Sequence, residues 1–483
     1  MSSPESQKVI DQILSEASVC RPLRMLTVVV VADLFGLGVS LAIAHVLRYS
    51  LGGTFQLEQL LALWPLPLLV VTFIATSRSY ALTPPHPAEE LRRLTTATTV
   101  AFLILVTGSF FLRSGEDYSR AAIVGAWAMC LCLIPMARSL VRALFARRSW
   151  WGAPVVVCGA GTTGQQVVAA LKRWPSRGLR PLVILDDDPE KIGKEVCGVP
   201  IAGPIAEVGH VCAAGGMRHL LIAMPGASAP QLRELWNTLG PLFPTVMAIP
   251  GTTGVASVWV EAKDLGGHLA LELNQSLLRP SQRTMKRSLD LLLISVGGIF
   301  WVPLLLILGL LVRCTSRGAV FYGQKRIGRG DREFTAWKLR TMRHDADAVL
   351  DQVLAADPVF RAEWERDHKL RHDPRVTLIG RFLRKTSLDE LPQLFNVLVG
   401  EMSLVGPRPI TRPEAVKYGD QWQIYLRVRP GLTGLWQVSG RNQTTYDERV
   451  ALDSFYVHNW SPWLDLVILA RTVQTVVRGE GAY

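Results

Sequence analysis

Long apolar stretches alternate along the chain with polar, glycine-punctuated ones, and the two regimes predict different structures. Apolar runs at about 26–47, 60–76, 95–112 and 121–137 are long enough, or nearly so, to cross a bilayer as helices. Arg21 and Arg24 precede the first run, Arg78, Arg92 and Arg93 lie between the second and third, and Arg138, Arg142, Arg147 and Arg148 follow the fourth. The opposite loops hold only Arg48, then Arg113 and Arg120 beside Glu116 and Asp117. Cytoplasmic loops collect basic residues, so both ends of a four-helix transmembrane bundle (residues 21–148) are expected in the cytoplasm. The polar segment 1–20 before it does not resemble a cleaved signal peptide.

A fifth run, Leu289 to Val312, has the length of a single span but is basic on both sides. Arg279, Arg283, Lys286 and Arg287 precede it, and Arg313, Arg317, Lys325, Arg326 and Arg329 follow. Gly297-Gly298 and Pro303 sit near its middle, where they can break and redirect a helix. The expectation is a re-entrant membrane helix over 289–312, broken at Pro303, with both ends at the cytoplasmic face. The alternative is an ordinary span that disobeys the charge rule.

Between these regions, residues 149–278 change pattern. APVVVCGAGTTGQQVVAAL reads as a buried strand, a glycine turn and a helix, with Gly159, Gly161 and Gly164 in GxGxxG spacing. A second strand, LVILDDD, ends at Asp186 to Asp188, and further strands are predicted at about 219–224 and 245–249. This is the arrangement of a Rossmann-like cytoplasmic domain, in which an acid after the second strand reaches a ribose. The same glycines also serve close strand–helix packing. With no Tyr-x-x-x-Lys pair anywhere in the chain, dehydrogenase chemistry has no catalytic couple. A structural or regulatory role, such as a homodimer contact, is the expectation.

From Phe321 onward the chain is polar and rich in arginine. FYGQKRIGRG and FTAWKLRTM predict a strand pair that supplies Lys338 and Arg340. HDPRVTLIGRFLRKTSLDELPQLFNVL predicts a loop and a helix with an apolar stripe of Leu388, Leu391, Leu394, Phe395 and Leu398. Ser387-Leu388-Asp389-Glu390 fits a capping box, with Glu390 reaching back to its cap. SLVGPRP and RPGLTGLWQVSGR are turn-bounded loops carrying Arg408, Arg429 and Arg441, and YDERVALDSFYVHNW and LDLVILARTVQTVV predict two helices. Arginine's planar fork binds two phosphate oxygens at once. Here tight turns place basic residues around one acidic pair, next to a membrane-dipping helix, which favours a phosphate site over a solvated face. An ionised aspartate can act as a nucleophile, and its neighbour can hold a divalent metal, with Mg2+ the best fit.

Composition narrows the partners. Charged residues make up 19% of the 483 residues, below the roughly 25% of soluble domains, and the mean hydropathy is +0.23; both place part of the chain in the lipid bilayer. The net charge of +12, with no run of five like charges and no nucleic-acid motif, points to lipid headgroups and phosphates rather than nucleic acid. Seven scattered cysteines suggest neither a zinc site nor a disulfide framework.

FYGQKRIGR, WKLRTM, DPRVTLIGRFLRKTSLDELPQLFNVLVGEMSLVGPRP and RPGLTGLWQVSGR resemble the bacterial sugar transferase family of polyprenyl-phosphate phosphoglycosyl transferases, over about Met285 to Tyr483. The upstream layout resembles the long form of these enzymes, such as the undecaprenyl-phosphate galactose phosphotransferases. The resemblance implies transfer of a hexose 1-phosphate (galactose or glucose) from a UDP-hexose to undecaprenyl phosphate with release of UMP, at the cytoplasmic face of the bacterial inner membrane. The product would begin an O-antigen, capsule or exopolysaccharide unit. The catalytic domain would be residues 279–483, mainly helical, with Asp389 as nucleophile, Glu390 as magnesium ligand, and Lys338, Arg340, Arg384 and Arg408 at the phosphates; Arg441 joins them as a basic residue of the last motif. The family's proline break maps onto Pro303, here after Val302 where many members have a Ser-Pro pair. Two other classes stay in view: a membrane-bound nucleotide-sugar dehydratase or epimerase, and a non-catalytic scaffold for polysaccharide assembly.

Overall fold

The computed structural model describes residues 13, 15–52, 63–111, 120–205, 211–213, 216–249, 260–264, 269–273, 277, 279–356, 360–361, 373–439 and 445–478. Two compact units divide at Val255/Ala256.

In the first unit, the apolar runs form α1 (Pro22–Ser50), α2 (Pro65–Thr76), α3 (Pro87–Phe111) and α4 (Arg120–Phe145). Three of these are long and apolar enough to cross a membrane; α2, with 12 residues, is shorter than expected, and residues 53–62 before it lie outside the described residues. Leu37, Leu66, Val70, Ile74, Leu94, Ala126, Cys130 and Ile134 interlock between the helices. Phe35, Leu103, Val124 and Leu140 remain exposed, as lipid-facing side chains would.

Below the bundle, β1 (Ala153–Cys158), β2 (Leu179–Leu185), β3 (Glu195–Val196), β4 (Val199–Gly203), β5 (His219–Ile222) and β6 (Thr245–Ala248) form one sheet, ordered β3-β4-β2-β1-β5-β6. All pairings are parallel except β3–β4. Val155 to Cys158 are fully buried because both faces of a parallel sheet are covered, which explains the unbroken apolar run. The glycine turn leads from β1 into α5 (Thr162–Arg173) as the spacing predicted. The acid behind it is committed inward. Asp186 accepts the Ala160 backbone N–H at 2.6 Å and pairs with Lys191 at 3.3 Å, while Asp187 accepts the Ile205 N–H. The expected reach of the β2 acid to a ribose is therefore replaced, at Asp186, by a brace on the glycine turn itself. A further helix, α6 (Ala229–Leu239), joins β5 to β6.

The second unit opens with a hairpin, β7 (Val260–Asp264) and β8 (Leu269–Leu273), and then the fifth apolar run. That run is one α-helix, α7 (Pro280–Thr315), longer than the predicted 289–312. The helix continues through Gly297-Gly298 and Pro303, so the expected break does not end it. The indole N–H of Trp301 donates to the Ile294 carbonyl at 3.2 Å, giving one mid-helix carbonyl an extra partner. Both arms of α7 pack on the same unit. Lys286 meets Asp465 at 2.8 Å and Asp290 accepts the Ser403 hydroxyl at 2.7 Å, while Leu305, Leu308 and Val312 pack with Leu339 and Leu383.

The strand pair is β9 (Phe321–Ile327) and β10 (Glu333–Leu339), antiparallel as expected. Then come α8 (Ala346–Ala356), α9 (Leu378–Thr386) and α10 (Gln393–Val399), followed by β11 (Ser403–Val405). A short helix α11 (Trp422–Tyr425), β12 (Gly431–Thr433), α12 (Leu435–Ser439), α13 (Tyr446–His458) and α14 (Pro462–Arg478) complete the chain.

Candidate active site

The single helix expected across Ser387 to Leu398 is two pieces. Thr377 caps α9 by accepting the Gly380 N–H, and α9 ends at Ser387, which adopts φ 56° and closes the turn on Arg384 and Leu383. Leu388–Glu390 form one 3-10 turn before α10 begins. The capping box is absent: the Ser387 side chain makes no cap hydrogen bond. Glu390 points instead to Lys338, whose ammonium lies 2.6 Å from Oε1. The break also dissolves the apolar stripe, since Leu394 is buried while Phe395 and Leu398 are exposed. A left-handed non-glycine residue is uncommon and costs local strain; here it turns Asp389 and Glu390 into a cavity.

That cavity has a volume of about 1090 Å³ and is lined by Asp389, Glu390, Lys338, Arg340, Arg384 and Arg408. Three stretches of chain supply these cations, with Lys338 and Arg340 together at the end of β10. Lys338 comes from β10 and stands 3.8 Å from Asp389 as well as against Glu390. Arg340 donates to the Ser316 carbonyl just beyond α7, and its Nε is buried with no acceptor among the described residues. Gly318, at φ 110°, leaves the space that the Arg340 guanidinium fills; a Cβ there would collide with it. Arg384, on α9, donates to the Thr341 hydroxyl at 3.0 Å. Arg408 follows β11, and its guanidinium lies 5.5 Å from the centre of the Trp436 ring.

The loops around Arg408 meet because two backbones touch. β11 pairs with β12 in parallel, Ser403 opposite Gly431, and a Cβ on Gly431 would strike the Gly406 backbone. This contact brings GPRP beside LTGLWQ and adds Trp436, Gln437 and Thr433 to the cavity wall. These residues, with Tyr322 and Gln324 of β9, were not singled out from sequence, although they lie inside or next to the quoted motifs. Arg441 lies outside the described residues.

The two carboxylates are held differently. Burial pushes the Asp389 carboxyl above the ordinary range, and the Glu390 charge adds to this, against the pull of Lys338 and Arg384. Burial also acts on Glu390, but Lys338, Arg408 and Arg326 outweigh it and hold its carboxyl below the ordinary range. Asp389 is thus the less well paired and the more basic oxygen, 13% exposed at its side chain, facing a cavity whose surplus charge is positive. Among the described residues no group of three or more His, Cys, Asp or Glu could hold a metal alone. Two adjacent carboxylates fit a magnesium ion that takes its other ligands from substrate phosphates and water.

A family model for bacterial sugar transferases matches residues 281–479, and one for a CoA-binding domain matches residues 85–250. The chain is 37% identical over 392 residues to a UDP-galactose-lipid carrier transferase of Erwinia amylovora, covering 80% of this chain and 81% of that one. It is 36% identical over 376 residues to an undecaprenyl-phosphate galactose phosphotransferase of Salmonella typhimurium, covering 76% and 77%. The exopolysaccharide production protein ExoY of Rhizobium meliloti matches at 48% identity over 206 residues, which is 43% of this chain but 91% of that protein.

Proposed function

Because the chain belongs to the bacterial sugar transferase family, we propose that it transfers a hexose 1-phosphate, galactose or glucose, from a UDP-hexose to undecaprenyl phosphate. The observation that carries this reading is the cavity that gathers an adjacent Asp–Glu pair with Lys338 and Arg340 from the end of β10, Arg384 from α9 and Arg408 from the loop after β11. In the first step an Asp389 oxygen attacks the sugar-bearing phosphorus of the diphosphate. The bridging P–O bond breaks, its electron pair leaves with UMP, and the sugar phosphate is held on Asp389. In the second step an oxygen of undecaprenyl phosphate attacks the same phosphorus, and the Asp389 carboxylate departs unchanged.

Lys338, Arg340, Arg384 and Arg408 supply the fixed positive charge that a diphosphate and a lipid phosphate both require, in geometry that needs little rearrangement during the reaction. The raised proton affinity of Asp389 makes it a better nucleophile once ionised, while Glu390 stays ionised beside it. Glu390 would hold magnesium together with substrate oxygens; when bound, it neutralises diphosphate charge. The packing of both arms of α7 on one unit supports a re-entrant seating in the inner membrane, with the cavity on the cytoplasmic side, because a polar unit cannot hold both ends of a helix that crosses the bilayer. The product would initiate O-antigen, capsule or exopolysaccharide synthesis.

The test is to mix the full chain in lipid with UDP-hexose and magnesium, without acceptor. One UMP should appear per enzyme, and the peptide carrying Asp389 should gain one hexose phosphate by mass spectrometry. An adduct on any other residue would overturn the assignment. For topology, single cysteines at Arg283 and Arg317 in a cysteine-free background should both resist an impermeant thiol reagent in intact cells. Labelling of one alone would establish a true span.

A further inference from the structure

The first unit holds a cavity of about 700 Å³ where the bundle meets the sheet. It lies at the start of β2 and the end of α5, the edge of the sheet opposite the glycine turn, so a crevice for a dinucleotide does not account for it. Arg147, Arg148, Lys172, Arg173 and Arg180 line it, against the two acids Glu16 and Glu195. Lys172 is committed, donating to the Cys197 and Gly198 carbonyls, and Arg180 donates one N–H to the Ser149 carbonyl. Among the described residues none of the four arginines forms a salt bridge. Trp151, 3% exposed, is part of the wall, and its indole N–H has no acceptor among the described residues.

We propose that this cavity binds a phosphate group, carried by an anionic lipid head or by a free phosphate compound. The volume falls in the range of small-ligand pockets. The arginines supply unspent donors in the forked geometry that suits phosphate, and the indole N–H is a buried donor that a bound oxygen would satisfy. The position favours the lipid. Arg147 and Arg148 follow α4 directly, next to Trp150 and Trp151, and basic residues with tryptophans mark the level of the headgroups. None of these residues belongs to the Asp389 cavity, so this site and the transferase reading stand or fall separately.

The experiment uses the full chain in nanodiscs and a triple variant, Arg147→Gln, Arg148→Gln and Arg173→Gln. In one arm the discs contain phosphatidylcholine with a minority of phosphatidylglycerol, and native mass spectrometry after release counts retained phosphatidylglycerol. In the other, the discs contain phosphatidylcholine alone, and sodium pyrophosphate is titrated while thermal unfolding is followed. Retention that falls about tenfold or more in the variant assigns the phosphate to a lipid head. Stabilisation by pyrophosphate in wild type, absent from the variant, assigns it to a free compound. A variant that unfolds at the wild-type temperature without ligand and matches wild type in both arms overturns the proposal. If the variant does not fold, a photoactivatable phosphatidylglycerol and a photoactivatable pyrophosphate ester on wild type decide the matter. Adducts on the peptide containing Trp151 support the site, and adducts only elsewhere overturn it.

Discussion

Two clusters of charge in this chain use the same residue types to opposite ends. In the bundle, Arg138 is 1% exposed and grips Asp33 with two hydrogen bonds of 2.6 and 2.7 Å. Its remaining nitrogen serves Glu90 at 2.8 Å and the Ser79 carbonyl at 3.2 Å; Arg142 also binds Glu90, and the Tyr80 hydroxyl completes Asp33. Two arginines face two carboxylates, and the cluster closes on itself. In the Asp389 cavity Lys338, Arg340, Arg343, Arg384 and Arg408 line the wall around two carboxylates, and among the described residues Lys338–Glu390 is the one close pair on those carboxylates. Ionisable residues within a membrane bundle suggest function by default. The contrast teaches a better criterion: a charge cluster that satisfies itself holds structure, and one left with surplus charge awaits a ligand.

The largest effect should come from the open cluster. Asp389→Asn keeps the shape and removes the attacking charge, so UMP release should fall by about three orders of magnitude or more, with unfolding temperature unchanged or raised. A variant that stays active would remove Asp389 from the chemistry. In the closed cluster, Arg138→Met strands the buried Asp33 carboxylate and leaves Glu90 with Arg142 alone. Stability should drop by about 3–5 kcal/mol, seen as a lower unfolding temperature in detergent, with turnover per folded molecule unchanged. Loss of turnover in protein that remains folded would break the distinction between the two clusters.

Smaller effects sharpen it. Glu390→Gln should lower the rate by about 10–100-fold and raise the magnesium concentration needed for half-maximal activity; an unchanged magnesium profile would contradict a metal role. The pH dependence follows from the Asp389 shift. Its carboxyl must be ionised to attack and is held above the ordinary range, so activity should be lost on acidification at a higher pH than for a free carboxylate. Arg384→Gln removes a charge that favours the ionised form and should move this acid limb up, whereas Glu390→Gln removes a repelling charge and should move it down, each by about one unit or less. Profiles of kcat/KM for UMP release distinguish the two directions.

How much of this was legible in the sequence depended on distance along the chain. The strand–glycine–helix start of the sheet, the β9–β10 pair and the two terminal helices are local patterns, and the structure forms them where expected. The Asp–Glu pair and four of its cations were named because short contiguous motifs carry them, although on a strand, a helix and two turns. The capping box failed because a side chain on β10, 52 positions away, offers Glu390 a full charge, which outcompetes a backbone N–H. Asp33 and Arg138, 105 positions apart, left no trace in any local window. The brace at Asp186 was hidden for a related reason: the residue type expected to meet a ribose is equally suited to a backbone donor.

The contact between Gly406 and Gly431 limits how this cavity can change. Any side chain at Gly431 must push the two loops apart, and Arg408 and Trp436 would move with them. No single larger residue there can widen the cavity without displacing Arg408 and Trp436. The other walls, including Tyr322, Gln324 and Gln437, can vary without separating the paired backbones. Changes to the shape of this cavity have their open ground at those three positions, and a forbidden one at the glycines.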